Sequence, residues 1–246
     1  MRFLILSDIH GNWEALNAVL HDAADQRYHA VLCLGDIVGY GPNPNEVVAW
    51  VRAHGDVVIR GNHDKACSGA AAFGSFNSIA QCSSLWTREE LLDEHADWLL
   101  HLDRGPVLVE DFGLVHGAPD DEDRYIFHEH EAEIGFRHAD EELTFFGHTH
   151  VQGGFIAEPY QRYFEVSRLH VLPSQIAIVP DRRYLLNPGA VGQPRDGDAR
   201  AAYCIYDSAM RVVEFRRVDY DIRTVQEKIL AIGLPEELAF RLASGD

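Results

Sequence analysis

The sequence predicts an α/β protein made of two packed mixed β-sheets flanked by helices. Two observations carry that expectation. Over the first 60 residues, short apolar runs alternate with helical stretches, the pattern of a parallel sheet layered with helices. From 153 to 217 the chain turns β-rich. Of 246 residues, 46% are apolar, which suffices for a sizeable core. No internal repeat, low-complexity tract or linker divides them, so one domain over 1–246 is expected.

The elements follow in order. Residues 2–7 read as a first strand. Asn12 can cap a helix to about residue 24, with Trp13, Leu16, Val19 and Leu20 on one stripe. Val31 to Leu34 form a second buried strand. A second helix over Glu46–Ala53 is entered through Pro42-Asn43-Pro44. Residues 56–59 form a third strand. Then the pattern changes. Small residues and two phenylalanines fill 66–76, and 77–101 is helical, so a helical insertion over about 66–104 is expected. Val107–Val109 and Leu114–His116 read as a hairpin, followed by a helix near 129–138 and a strand over Leu143–Phe146. Further strands are expected at 176–179, 183–186, 202–206 and 211–217, and an amphipathic tail at 221–243.

The formal net charge is −18, a field that repels polynucleotide backbones. It leaves room for a small phosphate compound, because a divalent ion can reverse the local sign. The most acidic stretch, 120–142, sets ten carboxylates against Arg124 and Arg137, and reads as a solvated helix face with its approach loop. No run is long and apolar enough for a membrane span, so no membrane association is expected. The first residues, Met1 to Leu6, meet Asp8 and His10 at once and read as a strand rather than a signal peptide. Cys33, Cys67, Cys82 and Cys204 are scattered, without a CxxC pair. They read as reduced thiols of a cytoplasmic protein.

The unusual polar residues fall at strand ends. The first strand runs into Ser7-Asp8-Ile9-His10, the second into Gly35-Asp36, the third into Gly61-Asn62-His63-Asp64. Later strands run into His116-Gly117 and Gly147-His148-Thr149-His150. Ligands of α/β sheets bind at the carboxyl ends of the strands, and parallel strands bring such residues to one edge. The glycines permit sharp turns there. Taken alone, each such residue is most often a loop or capping group. His21, His29, His54, His95, His101, His128, His130, His138 and His170 are read that way. His128 and His130 lack the i, i+4 spacing of a helical zinc site.

Asp8, His10, Asp36, Asn62, His116, His148 and His150 together make an oxygen and imidazole set without thiolate. That set suits Mn2+, iron (Fe2+ or Fe3+) or Zn2+ rather than a cysteine-rich structural zinc. Seven ligands exceed one tetrahedral ion and suit two ions sharing a carboxylate. Two ions about 3.5–4 Å apart are a recurring clamp for in-line displacement at phosphorus.

In this order, the motifs D-x-H (8–10), G-D (35–36), G-N-H-D (61–64), H-G (116–117) and G-H-T-H (147–150) resemble the calcineurin-like metallophosphoesterase superfamily. The stretch Asn187-Pro188-Gly189-Ala190-Val191-Gly192-Gln193-Pro194-Arg195 is similar to its small bacterial and archaeal phosphodiesterase branch. The resemblance implies a four-layer αββα fold and two divalent ions per chain. Asp8, His10 and His150 would hold one ion, and Asn62, His116 and His148 the other, with Asp36 bridging. A metal-bridging hydroxide would attack a small soluble phosphodiester or nucleotide, and His63 would protonate the leaving oxygen. Asp64 either orients His63 or caps the next turn.

One departure bears on the substrate. Gly39 and Tyr40 stand where the protein Ser/Thr phosphatases of the superfamily carry Asp and a phosphate-binding Arg. This disfavours a phosphoprotein substrate and makes Tyr40 and Arg195 the candidate substrate contacts. A phosphomonoesterase or protein phosphatase on the same site is the alternative. A non-catalytic scaffold, as in the retromer subunit, ranks behind both, because His63 and every ligand are kept.

Overall fold

The computed structural model describes residues 1–246 apart from 75, 161, 162 and 170–172, and His170 therefore lies outside the described residues. The chain opens with β1 (Arg2–Leu6), α1 (Trp13–Ala23), β2 (Ala30–Cys33), α2 (Pro44–His54), β3 (Val57–Val58) and α3 (Asn62–Ser68). It continues through α4 (Ser78–Glu90), α5 (Asp93–Leu100), β4 (Val107–Val109), β5 (Phe112–Leu114), α6 (Glu129–His138) and β6 (Leu143–Phe145). The last part holds β7 (Gly153–Tyr160), β8 (Tyr163–Arg168), β9 (Gln175–Ala177), β10 (Arg183–Asn187), β11 (Ala201–Asp207), β12 (Val212–Val218), α7 (Ile222–Ala231) and α8 (Glu236–Phe240).

These strands form two mixed six-stranded sheets, in the orders β3-β2-β1-β11-β12-β9 and β4-β5-β6-β10-β7-β8. In the first, β1, β2 and β3 run parallel while β11 and β12 return antiparallel. In the second, β5, β6 and β10 are parallel. The expected sandwich of helix, sheet, sheet and helix is what forms.

Side-chain alternation in β1 shows why. Phe3 and Ile5 point between the sheets, where they meet Phe112, Leu114, Phe145, Tyr184 and Leu186 of the second sheet. Leu4 and Leu6 point the other way, onto Leu16 and Val19 of α1 and Val47, Val48 and Val51 of α2. A strand covered on both faces must be apolar throughout, which is how β1 reads. The far face of the second sheet takes α6 through Ala132 and Phe136, packed on Phe155 and Leu185. Each fully buried Leu or Phe here contributes about 1.5–3 kcal/mol of transfer free energy. The tail helices α7 and α8 cover Tyr40 and Ala80 with Val225, Ile229 and Leu238, joined by Leu242 just beyond α8.

Some boundaries differ from expectation. The hairpin strand begins at Phe112, because Val109 pairs with Phe112 across a two-residue turn in which Glu110 takes a φ of 51°. Strand β3 is cut to two residues, and Ile59 instead bridges Asp103. The helical stretch expected from 77 is preceded by a short helix starting at Asn62, so Asn62 and His63 occupy a helix's first turn rather than a loop. Three cysteines are buried, Cys82 is exposed, and all four are free. No described helix is long and apolar enough to cross a membrane.

Candidate metal centre

Five strand ends converge here. The first sheet supplies Asp8 and His10 after β1, Asp36 after β2, and Asn62 and His63 after β3. The second supplies His116 after β5, and His148 and His150 after β6. Parallel pairing within each sheet puts its chain ends on one edge, and the sandwich brings the two edges together. The backbone of His148 seals the join by donating to both Asp8 carboxylate oxygens, at 3.2 and 3.1 Å.

The turns are tight. Asp8, His10, Asp36, His148 and His150 all adopt left-handed backbone, with φ of 54°, 49°, 51°, 65° and 59°. A non-glycine residue held there costs about 1–3 kcal/mol and persists where its surroundings over-determine it. Two glycines make the packing possible. A Cβ on Gly35 would lie 2.4 Å from the Gly61 nitrogen, and one on Gly61 would lie 2.1 Å from Asp36 Oδ1.

The side chains gather into two buried groups. Asp8, His10, Asp36 and His150 form one, Asp36, His116 and His148 the other, each with its donor atoms within 4.8 Å of one another. Asp36 belongs to both. Its Oδ2 lies 3.6 Å from His10 Nε2 and 3.4 Å from His116 Nε2. Asn62 Oδ1 joins the second group, 3.2 Å from His116 Nε2. No other described histidine enters either group. His29 accepts the Arg2 amide at 3.0 Å, and His95 bonds Asn45 at 2.8 Å.

Backbone carbonyls fix the tautomers. Nδ1–H of His10, His116 and His150 donates to the carbonyls of Val38, Leu34 and Gln193, at 3.0, 2.8 and 2.6 Å. Each ring therefore turns its Nε2 inward. His148 does the reverse, donating Nε2–H to the Asp123 carbonyl at 3.1 Å and leaving Nδ1 free. Such outer hydrogen bonds set the tautomer of metal-ligating histidines.

Burial lowers His10 and His150, and takes His148 down to about 3. Burial alone would raise Asp8 and Asp36, but the imidazoles His150 and His116 hold Asp8 low, and His116 and His63 hold Asp36 low. His116 alone rises, to about 10, because Asp36 outweighs the burial that opposes it. The result is two buried carboxylates beside three neutral imidazoles, His10, His148 and His150, with a protonated His116 held against Asp36. Nε2 of His10 and of His150 face each other at 3.1 Å with no proton to share. This donor set fits divalent cations, which would satisfy facing lone pairs and buried negative charge together.

His63 sits beside the second group, 4% exposed. Its backbone N–H donates to Asp36 Oδ1 at 2.8 Å. Its ring is held between Tyr40 and Phe76, at 4.4 and 4.5 Å between centroids. Burial takes it down to about 4, so it is neutral at pH 7. Nδ1 lies 3.2 Å from the buried Ser84 hydroxyl, which leaves Nε2 for the site.

Of the two roles open for Asp64, the structure selects the cap. Its carboxylate accepts the Gly61 amide at 2.9 Å and the Ile37 and Val38 amides at 2.9 and 3.2 Å, and makes no hydrogen bond to His63. Burial, then the Asp36 charge, pushes it up to about 7.

Arg195 makes no ion pair with its acidic neighbours. Asp196 pairs with Arg217 and Asp198 with Arg200. Arg195 instead donates to Gln193 Oε1 at 2.9 Å and lies 5.5 Å from the centre of the Tyr40 ring. Tyr40, at a φ of 61°, packs 4.7 Å from the His10 ring.

None of the ten carboxylates of 120–142 is buried, in keeping with a solvated face, but in the loop before α6 two of them have distant partners. Lys65 reaches Glu122 at 3.0 Å and Asp123 at 2.6 Å, and Arg60 grips Glu122 through two bonds of 3.1 and 3.0 Å. These bonds hold the Asp123 carbonyl that fixes His148. Ser84, Lys65 and Asp123 carry no local sequence signal for these tasks.

A family model, that of the calcineurin-like phosphoesterase superfamily domain, matches residues 1–210. The chain belongs to this superfamily. An uncharacterized protein of Methanocaldococcus jannaschii is 37% identical over 249 residues, covering 98% of this chain and 97% of the relative. A crystal structure of a metallophosphoesterase from Sphaerobacter thermophilus is 39% identical, with a TM-score of 0.86 over 100% of this chain and 99% of that one. A hypothetical protein of Pyrococcus horikoshii shares the fold at 21% identity, with a TM-score of 0.76 over 100% and 98% of the two chains. The two sheets of this phosphoesterase superfamily member thus come with buried His and Asp groups able to hold metal.

Proposed function

We propose that the protein is a two-metal phosphoesterase acting on a small soluble phosphodiester or nucleotide. The observation that carries this reading is the pair of buried ligand groups sharing Asp36, with His63 beside them. Asp8, His10 and His150 would hold one ion, Asn62, His116 and His148 the other, with Asp36 common to both. Bound divalent ions would supply Lewis acidity at phosphorus and an activated water near neutral pH.

The rest is the work of the chain. Ser84 Oγ is hydrogen-bonded to Nδ1 of His63, which leaves Nε2 facing the site; as the acid, His63 would act in its doubly protonated form, passing the Nε2 proton to the leaving oxygen and returning to the neutral ring. Arg195 offers its planar fork to the phosphoryl oxygens. Tyr40 forms the wall between Arg195 and His63. A tyrosine at this wall, rather than a cation, supports an ester carrying one negative charge over a phosphoprotein.

The test is an activity screen with Mn2+ that compares an aryl phosphodiester, an aryl phosphomonoester, cyclic nucleotides and dinucleoside polyphosphates. Metal-dependent turnover of diesters or nucleotides is expected. Turnover of monoesters alone would overturn the substrate choice.

A further inference from the structure

A cavity of about 150 Å³ opens directly onto His63 and His148, and aromatic rings form its walls. Tyr40, Phe76 and Tyr125 line it. Phe76 and Tyr40 pack against His63. Tyr125 lies flat on His148, 3.8 Å between centroids with 15° between planes, and Phe127 stacks on Tyr125 at 5.2 Å and 15°. Phe76 rests on the core cluster under α7 and α8 with part of its ring uncovered, and Tyr125 joins no core cluster. Phe76 is half-buried and Tyr125 is 40% exposed.

The chemistry of the walls selects an occupant. No lysine or arginine lines the cavity, and its one carboxylate, Asp123, is already held by Lys65 at 2.6 Å. A second phosphate would find no cation there. A neutral planar ring finds aromatic side chains instead, Tyr40 and Phe76 beside His63 and Tyr125 beside His148. The volume suits one ring system rather than a whole drug-sized ligand, whose pockets span about 300–1,000 Å³. The cavity also lies where His63 would meet a leaving group.

We propose that this cavity is a subsite for an aromatic ring carried by the phosphate ester, a nucleobase or comparable aryl group, with Phe76 and Tyr125 as specificity-determining residues. The inference rests on the phosphoesterase reading and adds the nature of the esterifying group. It binds by stacking, which accepts any base because every base has a π-face.

Calorimetry on the full-length, Mn2+-loaded protein tests it, with AMP and ribose 5-phosphate as probes that differ by the base alone. Stacking between aromatic side chains predicts that AMP binds about 5- to 150-fold more tightly. Phe76→Ala and Tyr125→Ala should each narrow that gap, mainly by weakening AMP. Equal affinity of the wild-type protein for the two probes would overturn the subsite without need of any variant. So would variants that weaken both probes equally, because the rings would then serve only to brace His63 and His148. If the loaded protein binds neither probe, the phosphoesterase reading fails and the subsite with it.

Discussion

Ser84→Ala isolates how His63 is prepared for proton donation. The Ser84 hydroxyl is fully buried on α4, and among the described residues its hydrogen-bond partner is His63 Nδ1, at 3.2 Å. Alanine removes one oxygen and leaves Nδ1 bare in a dry pocket between Tyr40 and Phe76. The proton that the imidazolium gives up is then no longer confined to Nε2, the nitrogen that faces the site. A buried hydrogen bond contributes about 0.5–1.5 kcal/mol net, which is roughly a 2- to 13-fold loss in kcat. Removing His63 itself should cost about 10²–10⁴-fold, the usual contribution of a positioned acid. The loss in Ser84→Ala should concentrate on alkyl or nucleoside leaving groups, which need the proton. A nitrophenolate leaves without it. The assay is kcat on a nitrophenyl diester against kcat on a nucleoside diester, with metal content measured alongside. Ser84→Thr, which keeps the hydroxyl, should recover much of the rate. An equal loss on both substrates, or none on either, would refute the argument that Ser84 sets the tautomer.

Two further predictions concern the surroundings of the metal groups. Arg195→Ala should lower kcat/KM by roughly ten- to a hundred-fold through loss of a charge-assisted hydrogen bond, with partial rescue by lysine and metal content unchanged. Wild-type kcat/KM on every substrate would remove Arg195 from the site. Lys65→Met should release Asp123 and with it the carbonyl that fixes His148. Outer-sphere losses of this kind cost about 10- to 100-fold in metal affinity, so titration should find one of two sites weakened and the other unchanged.

Strand ends were the most legible part of this site. The apolar runs before Asp8 and Asp36 are short and buried on both faces, and the one before Asn62 is short and half-buried, so each stops abruptly where polarity begins. The helix over 129–138 was legible for a similar reason, since its apolar stripe and flanking charge are local. Helix α3 was not. Its seven residues, Asn-His-Asp-Lys-Ala-Cys-Ser, have no apolar period, and it is held by the Asp64 cap and by packing on α4 and α5. The division of the strands between two sheets was also hidden in detail, because β1 pairs with β11 about 200 residues away. Ser84 and Lys65 read as ordinary helix residues. Their tasks arise only when α4 and α3 are packed against the centre. The partners of the acidic loop were hidden because composition reports charge and not partners, whereas Glu122 is shared by Arg60 and Lys65.

The central claim is that Asp36 joins two metal sites in one buried centre. Anomalous diffraction from crystals of the Mn2+-loaded protein, collected on both sides of the manganese edge, tests it most directly. The account predicts two peaks per chain that share Asp36, one beside Asp8, His10 and His150 and the other beside Asn62, His116 and His148. In Asp36→Asn at least one peak should weaken or vanish. A single peak in the wild-type protein, or two peaks that persist at full height without the Asp36 carboxylate, would contradict it.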